Sequence, residues 1–149
     1  MRNVCGIDIG LKGFIAFIND DHLLELHPIP VIGNTIDVIE FSSILRAAHP
    51  ELIYLEKAEC RPGQNIKATL TCGTNFGMIL GALAVLRLPH IVLECRKWQA
   101  SMLLGTEQSL GSKARSLLAA ARIFPDTDFG KNDNKSDAAL IAYYGLTHL

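Results

Sequence analysis

The stretch Val4-Cys5-Gly6-Ile7-Asp8-Ile9-Gly10 places an aspartate in an otherwise apolar run that ends at a glycine turn. A run that is apolar on both alternating faces is typical of a central strand in a sheet covered on both sides. An unpaired carboxylate buried in such a strand costs several kcal/mol. Asp8 is therefore expected to face a cation, a hydrogen-bond network or a metal ion. The alternative is a strand-end residue that accepts hydrogen bonds from the amides of the turn at residues 10–13.

The surrounding pattern predicts an α/β chain. Strands are expected over residues 3–9, 14–18, 22–27, 51–56 and 90–95. Helices are expected over residues 36–48, 66–86, 96–104, 112–123 and 134–146, the first with Thr35 as its N-cap. Short turns join the first three strands into an antiparallel meander, whereas the strand-helix-strand crossovers that follow require parallel, right-handed connections. This order predicts one domain over residues 1–149 with a ribonuclease H-like fold, in which helices flank a mixed five-stranded sheet of three antiparallel and then two parallel strands.

The composition limits which binding partners and which cellular compartment are expected. Apolar residues make up 49% of the 149 residues, and 14 Lys and Arg against 15 Asp and Glu give a formal charge of −1. This balance does not by itself indicate nucleic-acid binding, although a local basic patch could provide it. The four cysteines lack zinc-site spacing and are expected to be structural thiols. No signal peptide is recognised, and the apolar run 76–88 is too short and Gly-rich to span a bilayer, so a cytoplasmic protein without a membrane partner is expected.

Two further acids are expected to lie close to Asp8. Glu56 ends the apolar strand Leu52-Ile53-Tyr54-Leu55, and Asp137 opens the last helix. Because open α/β sheets build their sites at the carboxyl ends of parallel strands, these acids are predicted to meet at one sheet edge. Asp133 lies four residues before Asp137 and would share its helix face. Hard oxygen ligands of this kind suit Mg²⁺, with Mn²⁺ as a substitute.

The predicted chemistry is phosphodiester hydrolysis. Two such ions about 4 Å apart can activate a water and stabilise the leaving oxygen. Each of these acids, taken alone, could instead have a purely structural role. Glu56-Lys57 could be a solvated strand end, and Asn134 with Asp137 has the spacing of a capping box.

Three motifs carry a family resemblance. Gly6-Ile7-Asp8-Ile9-Gly10 with Gly13, Leu55-Glu56-Lys57, and Lys135-Ser136-Asp137-Ala138-Ala139-Leu140-Ile141-Ala142 resemble the RuvC-like Holliday junction resolvases. Further segments are similar to the phage, bacterial and chloroplast branch of that group: residues 76–83, 96–99, 113–115 and 123–125. The similarity covers nearly the whole chain in order.

This resemblance implies a homodimer that nicks two opposed strands of a four-way DNA junction with two Mg²⁺ per active site, in a bacterial or phage-encoded protein. The implied metal ligands and catalytic residues are Asp8, Glu56 and Asp137, with a fourth acid near the start of the last helix. Asp133 is favoured for this position, although in other family members the aspartate stands at the position of Asn134.

Phosphate contacts are then expected from basic residues near the proposed active edge, each of which could alternatively be a solvated surface charge. The candidates are Lys57, Arg61, Lys67, Arg96, Lys97, Lys113, Arg115, Lys131 and Lys135. The loop at residues 57–65 is the best candidate to enter the junction centre. Two other functions stay open: a YqgF-like nuclease acting on RNA, and a catalytically silent nucleic-acid-binding module. Gly73, Gly77 and Gly81 form a small-residue stripe that could serve core packing or a dimer interface.

Overall fold

A computed structural model describes residues 2–59 and 62–148. The strands found there are β1 (Asn3–Asp8), β2 (Phe14–Asn19), β3 (Leu24–Pro28), β4 (Val31–Ile32), β5 (Thr35–Ile36), β6 (Leu52–Glu56) and β7 (His90–Leu93). The helices are α1 (Val38–Ala48), α2 (Ile66–Val85), α3 (Cys95–Met102), α4 (Ser112–Ile123) and α5 (Asp133–Thr147). The main sheet has the order β3-β2-β1-β6-β7. β1 to β3 pair antiparallel, and β1, β6 and β7 pair parallel, which confirms the predicted topology.

The connection between β3 and α1 differs from the prediction. A short hairpin of β4 and β5 turns at Gly33, whose φ of 62° favours glycine. Thr35 belongs to β5 and is not the N-cap of α1, so that prediction was wrong. Asp37 caps the helix instead, because its side chain accepts hydrogen bonds from the amides of Ile39 and Glu40, each at 3.1 Å.

The end of β7 and the beginning of α5 also differ from the prediction. In both cases the N-cap of a helix lies where a strand or a loop was expected to continue. The fifth strand of the sheet ends at Leu93, and Glu94 is the N-cap of α3, so Cys95 is helical rather than extended. The last helix begins at Asp133, and the side chain of Asn132 accepts from the amides of residues 134 and 135 at its N-terminus. Asn134 is therefore not an N-cap, and the capping-box interpretation of Asn134 with Asp137 was wrong.

Strand alternation sorts the core into two clusters, one on each face of the sheet. Val4 and Tyr54 pack with α5 on one face, whereas Cys5 and Ile7 pack on the face covered by α1 and α2. Because side chains alternate along a strand, Gly6 and Asp8 share the α5 face with Val4. Asp8 is thus turned toward the helix that carries Asp137.

Glycine lets α5 lie directly on β1. A Cβ atom at Gly6 would overlap the backbone amide nitrogen of Ala142 and the carbonyl oxygen of Ala138, both in α5. At Gly145, a Cβ atom would overlap the ring of Tyr54. These contacts hold α5 against the strands that end at the proposed site.

α2 is long and apolar enough to cross a membrane by length and composition alone, and among the described residues it is the helix with this property. Core helices of soluble proteins pass the same criterion. Ile79 and Leu83 of α2 are buried against the sheet, but most of the helix is not. A large part of its apolar surface is consequently left without an intramolecular partner.

Candidate active site at the carboxyl edge of the sheet

Strand register brings Asp8 and Glu56 side by side. β1 and β6 pair in parallel with Gly6 opposite Tyr54 and Ile7 opposite Leu55. One residue further, Asp8 lies beside Glu56, and both point to the α5 face because they alternate with Ile7 and Leu55. The two carboxyl groups are close enough for Glu56 to raise the pKa of Asp8.

The first turns of α5 add two more acids. Asp133 and Asp137, one helical turn apart, both interact electrostatically with Asp8. The structure therefore brings together the four acids predicted from the sequence, from β1, β6 and α5. The interactions of the Asp8 carboxyl are with other acids, while the turn after β1 is closed by its own backbone hydrogen bond, from the amide of Gly13 to the carbonyl of Gly10 at 3.0 Å.

Burial and like charge raise the pKa values of Asp8 and Asp137. Asp8 is 9% exposed, and burial, followed by the charge of Glu56, raises its pKa well above the usual value for aspartate. Burial also raises the pKa of Asp137 to about 6, with Glu56 and Asp133 contributing, although hydrogen bonding to Ser116 and the charge of Lys113 oppose the shift. A cluster with raised pKa values is typical of functional sites.

α4 supplies a second layer behind the acids. The Nζ of Lys113 lies 3.2 Å from Asp133 Oδ2, and the hydroxyl of Ser116, one turn later, donates a hydrogen bond to Asp137 Oδ1. The buried hydroxyl of Ser136 donates to Ser116 Oγ at 3.2 Å and contacts the carbonyl oxygen of Asp133 at 2.8 Å. The sequence analysis did not single out Ser116 or Ser136. Buried serines in Ala-rich helices carry no recognisable signal.

The acids are consequently divided among different partners. Asp8 interacts with Glu56, Asp137 with Ser116, and Asp133 with Lys113. Within residues 2–59 and 62–148, no three His, Cys, Asp or Glu side chains converge closely enough to hold one metal ion as they stand.

A cavity of about 560 Å³ opens over Asp8 and Glu56. The loop after β6 lines it with Lys57 and Glu59, and Cys72 and Cys95 complete its wall. Burial, together with the neighbouring Glu56 carboxyl, raises the pKa of the Cys95 thiol. Cys95 is therefore a neutral neighbour of the acids and not a reactive thiolate.

The predicted basic residues divide into those near the acids and those engaged elsewhere. Lys57 lines the cavity of Asp8, and Lys113 pairs with Asp133. Lys131 lines an adjoining cavity together with Asp133. The Lys135 ammonium lies 5.7 Å from the centre of the Phe14 ring. Lys67 lies on the rim of a separate cavity next to that of Asp8.

Two of the predicted arginines, Arg96 and Arg115, lie away from the acids. Arg115 donates from Nε to Thr106 Oγ1 at 2.9 Å and from Nη2 to the carbonyl of Leu103 at 3.3 Å, so it holds the loop between α3 and α4. Arg96 and Arg115 line a cavity that contains none of the acids. Lys97 is an exposed residue of α3. Arg61 lies outside the described residues.

The sheet order, its register and the acids at its carboxyl edge define a ribonuclease H-like fold of the RuvC type. Thermus thermophilus RuvC in complex with Holliday junction substrate superimposes with a TM-score of 0.68 at 15% identity, over 99% of this chain and 96% of that one. A second Thermus thermophilus RuvC structure gives 0.66 at 16% identity, over 99% and 97% of the two chains.

A eukaryotic structure shares the fold as well. The yeast mitochondrial Holliday junction resolvase Ydc2 superimposes with a TM-score of 0.56 at 19% identity. The match covers 95% of this chain and 76% of the Ydc2 chain. The sequence matches no protein-family model and no curated protein. The likeness to these proteins is therefore one of fold.

Proposed function

We propose that this chain is a structure-selective endonuclease that cuts four-way DNA junctions by metal-dependent phosphodiester hydrolysis. The observation that carries the proposal is the buried carboxyl of Asp8, placed against Glu56 and Asp137 in a RuvC-type fold. Solved structures with this fold include one with a Holliday junction substrate and one named as a Holliday junction resolvase.

The donor set fits a hard divalent cation. Asp8, Glu56, Asp133 and Asp137 offer only carboxylate oxygens, which suit Mg²⁺ or Mn²⁺. Among the described residues Asp8 forms no ion pair with a basic side chain, so its ionisation requires a positive charge from elsewhere. The four acids would hold the metal, with Asp133 as the fourth ligand.

When bound, the metal would supply an activated water and stabilise the leaving oxygen. The chain's own residues perform the positioning. Ser116 orients the Asp137 carboxylate, Lys113 balances the charge of Asp133, and Lys57 lies on the cavity wall where it can contact a phosphate.

The test is cleavage of a synthetic four-way junction with Mg²⁺. We expect paired, symmetric nicks, with linear duplex largely spared, and we expect Asp8→Asn to abolish cleavage while junction binding persists. Asp21→Asn is the matched control, because Asp21 is an exposed acid in the β2–β3 turn at the opposite sheet edge. Junctions left intact by the pure wild-type protein with Mg²⁺ and with Mn²⁺ would contradict the proposal.

The functional unit in this proposal is a homodimer, since paired nicks need two active sites. α2 carries an unpartnered apolar stripe that includes Ile66, Leu70 and Val85, which are 87%, 69% and 81% exposed. The same helix carries glycines at positions 73, 77 and 81, and a Cβ atom added at any of them would have no neighbouring atom within 4 Å. A second copy could approach this stripe closely.

A further inference from the structure

A second cavity adjoins the one over the acids. It has a volume of about 610 Å³ and lies between the turn after β1 and the beginning of α2. Ile9 and Cys72 line both cavities, so the two lie side by side at the end of β1. We call the second cavity the lysine groove, after Lys12 and Lys67 on its wall.

The two cavities have opposite charge. Three acids, Asp8, Glu56 and Glu59, and one lysine, Lys57, line the first. The described lining of the lysine groove contains two lysines and no aspartate or glutamate. Neither lysine forms an ion pair within the described parts of the chain. Lys67 lies in the first turn of α2. The helix dipole disfavours a cation at that position, so stabilisation of the helix does not explain why a lysine is found there.

Asn75 adds a buried donor to the groove. Its side chain lines the groove although the residue is only 3% exposed. Its Oδ1 accepts a hydrogen bond from the backbone amide of Ile36 at 3.2 Å, which fixes the orientation of the side-chain amide. The Nδ2 group has no acceptor among residues 2–59 and 62–148. Although the residue is almost fully buried, Nδ2 is not fully enclosed. A ligand oxygen in the groove would accept its hydrogen bond.

We infer that the lysine groove binds the phosphodiester backbone of the strand being cut, next to the phosphate that the acids receive. Lys12 and Lys67 neutralise phosphates, and Asn75 Nδ2 donates to an acceptor oxygen of the same strand. Because the two cavities lie side by side, one strand can occupy both. This inference rests on the proposed function, which supplies DNA as the substrate.

Asn75→Asp tests the donor directly. The substitution keeps the oxygen that accepts from Ile36 and replaces the NH₂ group with an oxygen, so the contact with β5 is retained while the groove loses its donor and gains a negative charge. With a four-way junction in EDTA, we expect binding to weaken on the order of tenfold. Thermal unfolding measured alongside shows whether the variant is folded.

Lys12→Gln and Lys67→Gln test the lysines. Both residues are exposed, so these variants are expected to fold even if Asn75→Asp does not. Each should reduce the slope of log K against log salt concentration by about 1, because one phosphate contact is lost. Arg46→Gln is the matched control. Arg46 is exposed near the end of α1, which lies at the opposite edge of the sheet, where the side-chain amide of Asn3 donates to the carbonyl of Ala48.

The outcomes separate this inference from the proposed function. If wild-type protein cuts the junction but all three groove variants bind it with unchanged affinity and salt slope, the groove is not a binding site and the proposed function stands. If wild-type protein neither binds nor cuts the junction, both fail. Losses in the groove variants with an unaffected Arg46→Gln protein support the inference.

Discussion

At the scale of single residues, two buried serine hydroxyls lie behind the carboxylate of Asp137. Ser136 donates to Ser116, and Ser116 donates to Asp137 Oδ1. Both serines are buried. Their hydroxyls therefore fix the orientation of the carboxylate, as outer-shell groups do in metal sites.

Ser116→Ala should weaken Mn²⁺ binding and junction cleavage by about 10- to 100-fold, because removing an outer-shell partner of a ligand has that effect. Calorimetric titration with Mn²⁺ and a cleavage time course measure the two quantities. Ser112→Ala is the control, since Ser112 is an exposed residue one turn earlier in α4. Equal Mn²⁺ affinity in wild-type and Ser116→Ala proteins would show that Ser116 has no positioning role.

The raised pKa of Asp137 predicts a pH-dependent stability of the metal-free protein. Its pKa is about 6 in the folded state and about 3.9 in an unfolded chain. Between these two pH values the folded state binds more protons than the unfolded state. The free energy of unfolding therefore decreases as the pH rises. The decrease approaches about 3 kcal/mol once the pH exceeds 6, and Asp8 shifts in the same direction.

Denaturant unfolding in EDTA at pH 4.5 and 7.0 measures this effect. Asp137→Asn removes the titrating group, so the stability of the variant relative to wild type should increase between the two pH values. A relative stability that is constant, or that declines toward pH 7.0, would exclude the assigned pKa shift.

At the scale of elements, α5 contacts β1 through a glycine. Because a Cβ atom at Gly6 would meet backbone atoms of Ala138 and Ala142, α5 would have to move away from β1, and Asp137 would move with it. The same packing that stabilises the fold therefore sets the distance between the acids.

Gly6→Ala should lower the free energy of unfolding by about 3 kcal/mol or more, since rigid backbone atoms cannot rearrange around the new methyl group. Gly111→Ala is the control, because Gly111 is the N-cap of α4 and a Cβ atom there meets nothing within 4 Å. That change should alter the free energy of unfolding by less than about 1 kcal/mol. Chemical denaturation of both variants provides the comparison, and a Gly6→Ala protein as stable as wild type would contradict the close packing.

Elements with strong periodicity were predictable from the sequence, and short irregular ones were not. α4 was predicted with the observed bounds, and the strands of the sheet were predicted to within two residues at each end. The hairpin of β4 and β5 was missed because two-residue strands have no periodicity. The caps Asp37 and Asn132 were missed because several Asn, Asp and Thr residues nearby were equally suitable as caps.

At the scale of the whole molecule, the exposed stripe of α2 predicts association of two copies. Leu70→Glu places a charge in the middle of this stripe and should shift the protein from dimer to monomer. Leu118→Glu is the matched control, because Leu118 is an exposed leucine of α4, which packs on the opposite face of the sheet. Sedimentation equilibrium gives the two masses, and a wild-type protein that is monomeric at assay concentration would contradict the dimer.

The sequence by itself determined which segments form the strands of the main sheet and the long helices. It also placed Asp8, Glu56 and Asp137 at the ends of such elements, because periodicity and element ends are local properties of the chain. Only the tertiary structure decided which groups surround these acids. Ser116, Asn75 and the lysine groove depend on contacts between residues far apart in sequence, such as Ser116 with Asp137 and Asn75 with Ile36. Such contacts follow from how helices pack on the sheet, and no local pattern encodes them.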